Sequence, residues 1–316
     1  AALPDGVGEA EGSLDDDGRD GPPTRIHARI EKRGDRLHID LSGSDPQTAG
    51  AMNVPWASAR AGLVYAVRCV VAPGIGSNDG LLRRVDVIAP EGTVINPLPP
   101  AAVSIRHNTC QRLADTLIRA MQQIWPDRAV ASSSVSFFSF NAGSTNPSTG
   151  QPAVMADVVG GGTGGTAGSD GLDGVDTYMS NVGVMPTEVV ETNYNIRILK
   201  TEFIPGSQGQ GEHSGGLGLR REYEILEHPQ HVTFYAEQTD ARFAPEGASG
   251  GAVAQATTIT VLGPDGTVLD TPRKTSRLLA PGTVVRVETA GGGGFGDPAE
   301  RSAELAAWDR AESRLG

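Results

Sequence analysis

Three stretches of this chain carry glycine so densely that backbone there can approach a ligand or another segment closely: Gly160-Gly-Gly-Thr-Gly-Gly-Thr-Ala-Gly168, the run from Gly206 to Gly218, and Gly291-Gly-Gly-Gly-Phe-Gly296. Any fold must first accommodate these runs. In all, 42 of 316 residues are glycine and 21 are proline, while aromatic residues make up 5% and leave little to build large aromatic clusters. That composition describes a turn-rich mixed fold.

The periodicity between the runs predicts an α+β architecture, with a few buried helices and a β-rich, glycine-rich C-terminal part. Thr24 to Leu41 alternates apolar and polar residues around Arg33-Gly34-Asp35, a β-hairpin pattern with one wet face. Trp56 to Val71 has the apolar spacing of a buried helix that Pro73-Gly74 ends, and Arg83 to Ile88 then reads as a strand. A second helix is expected from an N-cap at Asn108 or Thr109 to Ile124, with Leu113, Leu117, Ala120, Met121 and Ile124 on one face and Trp125-Pro126 as its stop. Strands follow at Val130 to Phe140, Val154 to Val159, Ile196 to Phe203, Arg221 to Leu226, Val232 to Glu237 and Thr257 to Leu262. We divide the chain into residues 1–150 with the hairpin and helices, 151–298 as a glycine-rich β domain, and 299–316 as a closing amphipathic helix.

Charge and hydropathy exclude several functions. Lys and Arg number 26 against 38 Asp and Glu, a formal net charge of -12, which argues against a nucleic-acid partner and against an anionic membrane surface. The sequence holds no apolar run of the ~18 residues that a membrane helix needs, and Ala1 to Gly18 is acidic and glycine-rich where a signal peptide would be basic and then apolar. The chain reads as cytoplasmic. Cys69 and Cys110 are too few for a disulfide framework and lack zinc-site spacing, so both read as buried thiols.

Several segments could carry chemistry. Gly160, Gly161, Gly162, Gly164 and Gly165 could present successive amides to a phosphate, or could form a structural or substrate-closing loop; neither a Gly-x-x-x-x-Gly-Lys-Ser/Thr pattern nor a strand-to-helix Gly-x-Gly-x-x-Gly is present. Asp170, Asp173 and Asp176 invite a calcium reading, against which stands the missing Glu at the twelfth position of a loop begun at Asp170; an ordinary turn role explains them too. Arg106 and His107, between an apolar strand-like segment and a helix, could hold an anionic oxygen and orient or deprotonate a substrate, or could be a salt-bridged arginine and a capping histidine. In the run containing Gly215 and Gly216, His213 is the titratable group of a loop whose glycines leave it mobile until a contact orders it.

Asn53-Val-Pro55, Pro73-Gly-Ile-Gly-Ser-Asn78-Asp-Gly80, Ala89-Pro-Glu-Gly-Thr93, Asn96-Pro97, Pro99-Pro-Ala-Ala-Val103, Thr109-Cys-Gln-Arg-Leu-Ala-Asp115, Gly206 to Leu219 with Arg220-Arg-Glu222, and Gly291 to Pro298 occur in one order. This series resembles the hydantoinase B / 5-oxoprolinase family, which also includes caprolactamase and acetone and acetophenone carboxylase subunits. The resemblance covers the C-terminal half of family members. It implies a B-type subunit, or half of one, of an ATP-dependent cyclic-amide hydrolase, or alternatively a ketone carboxylase subunit or a non-catalytic scaffold chain. It implies ATP and a divalent metal in the complex, neither held by residues of this chain: ATP in a hydantoinase A-type partner subunit, the metal on Asp and His residues of an N-terminal half whose Asn-Asp-Pro and Gly-Gly-His pattern is absent here. Partners implied are that A-type subunit, the N-terminal half and a small-molecule substrate. His213 falls where the family commonly has arginine, which makes any anion-holding role there dependent on pH.

Overall fold

The computed structural model describes residues 3–19, 21–76 and 79–316; Ser77 and Asn78 of the Pro73 to Gly80 motif lie outside the described residues. The chain divides into two compact units, Ala1–Val130 and Ala131–Gly316.

In the first unit, strands β1 (Gly6–Leu14), β2 (Thr24–Arg33), β3 (Arg36–Asp40) and β4 (Val85–Ile88) form a sheet in that order, antiparallel except for the β3–β4 pair. The predicted hairpin is β2–β3, turned by Gly34 at φ 56°. Ile26, Ala28, Ile30, Leu37 and Ile39 bury one face. Three helices accompany the sheet: α1 (Trp56–Val71), the short α2 (Asp79–Leu82) and α3 (Arg106–Ile124). Helix α3 packs on β1 and β2, and α1 packs on α3. Close approach of β1 to α3 needs glycine, because a Cβ at Gly8 would lie 2.0 Å from the Ala120 carbonyl oxygen and one at Gly12 2.3 Å from Thr116 Oγ1. Strand β1 escapes the sequence reading because these glycines interrupt its alternation.

Two expectations for this unit are corrected. Helix α3 starts at Arg106, ahead of the proposed Asn108 or Thr109 cap; both residues are buried inside the helix, and Thr109 Oγ1 donates to the Met52 carbonyl at 2.5 Å. Cys69 is exposed, on the flank of the stripe formed by Ala59, Leu63, Ala66, Val67 and Val70, whereas Cys110 is buried as expected.

The second unit is built on two facing sheets, from β5 (Phe138–Thr145), β6 (Pro152–Val159), β7 (Ile196–Phe203), β8 (Leu219–Ile225), β9 (Gln230–Tyr235), β10 (Thr258–Leu262), β11 (Val268–Asp270), β12 (Lys274–Leu279) and β13 (Val284–Glu288). One sheet runs β12-β9-β5-β6, the other β11-β10-β13-β8-β7. Their inner faces share one apolar core of Phe138, Phe140, Val232 and Phe234 against Ile196, Tyr223, Ile225, Val261 and Val285. Phe138, Phe140, Tyr223 and Phe234 meet in this core, with the Phe140 and Tyr223 rings stacked 4.2 Å apart. Helix α4 (Thr187–Asn193) leads into β7, and α5 (Ala303–Ala311) closes the unit.

The mixed α+β class holds, with boundaries shifted by pairing. Strand β5 pairs with β6 and β9, which puts residues 131–150 with the second unit, ahead of the division expected at 150. The closing helix starts only at Ala303, because Asp297 caps a 3₁₀ turn at Pro298–Glu300 before Ser302 caps α5.

Candidate functional site

The family-like segments of the first unit interlock. Asn53 Nδ2 donates to the carbonyls of Thr48 (2.9 Å), Gly50 (3.1 Å) and Ala102 (3.0 Å), tying the Asn-Val-Pro segment to Ala101-Ala-Val103. Asn96 Nδ2 donates to the Ala89 carbonyl at 2.8 Å, and the Val54 amide to the Val94 carbonyl at 2.8 Å. These motifs make a scaffold that delivers the start of α3.

Arg106 and His107 form the first turn of α3. Arg106 is exposed and its Nη1 lies 3.3 Å from the Val103 carbonyl oxygen. Burial, and secondarily the Arg106 charge, push the His107 pKa from 6.5 down to about 4, while burial pushes the Cys110 thiol up to about 11. A neutral imidazole beside a neutral thiol is the opposite of an activated cysteine pair. Since the unfolded chain binds the His107 proton more readily, stability contributed by this group is present above pH 6.5 and lost as pH falls towards 4. We expect His107→Gln to lose less stability than the parent across that interval, with urea denaturation at several pH values as the measurement; parallel curves would refute it. Further along α3, Asn108, Gln111, Arg112, Asp115 and Thr116 are buried, with Arg112 Nη1 3.3 Å from Asp115 Oδ2. A cleft of about 260 Å³ is lined by Arg29, Glu31, Arg33, His38, Asp40 and Asp86; Glu31 pairs with Arg29 and Arg33, Asp86 with His38 and Arg36, and Asp40 accepts from the Ser42 amide at 2.8 Å.

In the second unit the three glycine runs meet and hydrogen-bond to one another as bare backbone. Gly162 and Gly165 donate to the carbonyls of Ala290 (3.0 Å) and Gly293 (2.9 Å), Gly216 to Thr163 (2.9 Å), Gly292 to Gly216 (2.9 Å) and Gly209 to Gly292 (2.8 Å). A Cβ at Gly164, Gly215 or Gly292 would fall 1.8 Å from a carbonyl oxygen. The run Gly206 to Gly218, expected to be mobile, is therefore a fixed part of the interior: the ordering cost is offset by amide–carbonyl pairs at Gly206, Gly209, Gly215 and Gly216 and by the Gly218 amide's bond to Ser207 Oγ at 2.9 Å. His213 is locked the same way, its N–H and C=O paired with Phe295 at 2.9 and 2.8 Å.

The aspartates beside the runs are clamps. Asp170 accepts from the Ser214 amide (2.9 Å) and from Arg301 Nη1 and Nη2 (2.9 and 2.8 Å). Asp173 accepts from the Leu217 amide (2.7 Å) and from Arg314 Nη1 and Nη2 (2.5 and 2.8 Å). Asp309 on α5 also binds Arg301, so these ion pairs fasten the C-terminal helix to the glycine runs. His213 Nδ1 lies 3.8 Å from Asp170 Oδ1, where Arg301 already supplies the cation.

Neither implied cofactor fits these residues. A cation at Asp170 and Asp173 would displace two guanidinium groups, and among the described residues no group of three or more His, Cys, Asp or Glu side chains is placed to hold a metal. A phosphate would find the Gly162, Gly165, Gly209, Gly216 and Gly292 amides already donated to carbonyls. Arg106 and His107 thus stand together on α3 in the first unit, while His213 and the glycine runs belong to the second. Sequence reading missed Arg301 and Arg314, whose partners Asp170 and Asp173 lie far away in the chain, and the buried Asp157–Arg221 pair that Tyr223 joins.

The Hydantoinase B/oxoprolinase profile matches residues 1–298. The chain belongs to that family. It is 30% identical over 316 residues to a putative B-type D-/L-hydantoinase chain of Pseudomonas sp. (strain NS671), covering 96% of this chain and 52% of that protein. It is 32% identical over 291 residues to an uncharacterised protein of Methanocaldococcus jannaschii, covering 92% and 50%. The crystal structure of the ATP-dependent caprolactamase from Pseudomonas jessenii has the same fold, with a TM-score of 0.84 at 24% identity over 99% of this chain and 55% of that one. This chain therefore spans about half the length of these family relatives. Among the described residues no helix is long and apolar enough to cross a membrane.

Proposed function

We propose that this chain works as part of a B-type subunit of an ATP-dependent enzyme that opens cyclic amides, of the hydantoinase or 5-oxoprolinase kind. What carries the reading is the likeness, at 30% identity over 96% of this chain and 52% of the relative, to a protein named as a putative hydantoinase chain of the B type. The donor sets described above support a division of labour: this chain supplies a rigid wall and contacts, ATP is handled by an A-type partner, and the divalent metal is held outside this chain, where it would activate water for attack on the amide carbonyl. The ketone carboxylase reading draws support from the fold shared with acetone carboxylase, at a TM-score of 0.79 and 17% identity.

Reconstitution with an A-type subunit and with the sequence corresponding to the relatives' other half tests this directly. The expected result is ATP hydrolysis that depends on a hydantoin or lactam and yields the ring-opened acid. ATP-dependent carboxylation of a ketone, with no ring opening, would transfer the chain to the alternative.

A further inference from the structure

Strand β1 is the outer strand of the first unit's sheet and pairs with β2 alone. An outer strand turns a row of amides and carbonyls away from its sheet, which makes it a template for one more strand unless something covers it. Two side chains of α3 sit on this edge. Gln123 Nε2 donates to the Glu9 carbonyl at 2.6 Å and Gln123 Oε1 accepts from the Glu9 amide at 3.1 Å, while Arg119 Nη1 donates to the Glu11 carbonyl at 3.0 Å. The main chain of Glu9 therefore faces away from β2, and the two-residue period of a strand places Val7, Glu11 and Ser13 on the same edge.

The Gln123 amide makes with Glu9 the pair of bonds that the N–H and C=O of one residue in an antiparallel neighbour would make. It stands where a peptide group would stand. Gln123 is exposed, so water can take over its bonds when a strand takes its place. Its two bonds and that of Arg119 serve part of an edge nine residues long, where a partner strand would run the whole length.

The side chains along the edge set the charge of what fits. Glu9 and Glu11 are 58% and 54% exposed, although His27 Nε2 lies 2.7 Å from Glu9 and Arg25 Nη1 3.1 Å from Glu11 on the β2 side. Across the sheet, an acidic column on β1 thus lies beside a basic one of Arg25, His27 and Arg29 on β2, and a further basic column would complement it on the outer side. A second copy of β1 does not, because antiparallel pairing would set Glu9 and Glu11 against their own counterparts, and like charges directly opposite destabilise a sheet.

We propose that the outer edge of β1 accepts an extended segment of a partner polypeptide carrying Lys or Arg at alternate positions, with Gln123 and Arg119 as the placeholders it displaces. Backbone bonds supply the affinity, and the alternate side chains choose the partner. The inference goes beyond the reaction proposed above and does not depend on it.

Fluorescence anisotropy of a labelled peptide, acetyl-Thr-Lys-Thr-Lys-Thr-Lys-Thr-amide, titrated with the full chain tests it. Saturable binding is expected, with protection of residues 6–14 from deuterium exchange. Binding should be at least tenfold weaker for the peptide with Glu in place of Lys and for the one N-methylated at each Lys, which keeps the charge and loses the backbone donors. The double substitution Glu9→Gln with Glu11→Gln should weaken binding several-fold, and Gln123→Ala should tighten it several-fold, whereas a purely structural Gln123 would lower the melting temperature and leave affinity alone. If a variant does not fold, the three peptides on the parent chain still decide. No saturable binding, equal binding of the acidic or the N-methylated peptide, unprotected β1 amides, or unchanged affinity in folded variants overturns the proposal. Concentration-dependent pairing of the parent chain through β1 in place of peptide binding would make the occupant a second copy and overturn it too.

Discussion

Gly292→Ala is expected to prevent the second unit from folding at physiological temperature. The new methyl carbon would sit 1.8 Å from the Thr163 carbonyl oxygen and 2.2 Å from its carbon, with the Gly164 nitrogen at 2.7 Å, so no flexible side chain is there to yield. Only separation of the backbones relieves the clash, and that breaks the bonds from Gly292 to Gly216 and from Gly209 to Gly292. A loss of about 5 kcal/mol or more is expected, beyond the usual range for a point substitution and comparable to the whole stability of many domains. Gly183→Ala is the control: its added methyl would meet nothing within 4 Å, and a change within about 0.5 kcal/mol is expected. Chemical denaturation and limited proteolysis of both variants measure this. A Gly292→Ala protein as stable as Gly183→Ala would mean that the glycine runs are not packed as described.

The second large effect is expected at Asp157→Ala. Asp157 Oδ2 lies 3.0 Å from Arg221 Nε and accepts from the Tyr223 hydroxyl at 2.9 Å, while Oδ1 accepts from the Met185 amide at 2.9 Å; the two charged side chains are 0% and 1% exposed. Removing the carboxylate leaves a guanidinium, a phenol and an amide short of partners in the core, for which about 3–5 kcal/mol is typical. By contrast, Asp35→Ala breaks the exposed pair with Arg84 and should change stability by no more than about 1 kcal/mol. Denaturant midpoints give both numbers. Equal and small shifts would show that solvent reaches the Asp157 site.

The parts of the fold that sequence reveals are those whose signal is local. Trp56 to Val71 reads as a helix because its buried residues recur at three- and four-residue spacing, and the Arg33-Gly34-Asp35 turn reads as a hairpin because one strand leads directly to the next. Strand β1 is hidden because Gly8 and Gly12 serve the helix across from them and contribute no apolar alternation of their own. The glycine runs are visible at once, yet their role is not. An isolated glycine loop reads as mobile, and only the convergence of three runs far apart in the chain shows that they order one another, just as the Arg301–Asp170 clamp spans 131 residues. Arg106, His107 and His213 stand out for their chemistry, but chemistry depends on burial and neighbours that no local pattern records. Asp176 is legible only as one of three spaced aspartates. What sets it apart is that Asp170 and Asp173 have guanidinium partners, while Asp176 keeps an oxygen unused.

The crossing of the three glycine runs has a consequence for how such a protein can change. A region where the glycines of three runs meet backbone to backbone leaves little to adjust, since most substitutions at those glycines add atoms where carbonyl oxygens already stand. Neither a larger substrate nor a different charge can be accommodated by editing it. Any adjustment falls to the bordering residues that still carry side chains, with the crossing as the fixed frame against which they are displayed.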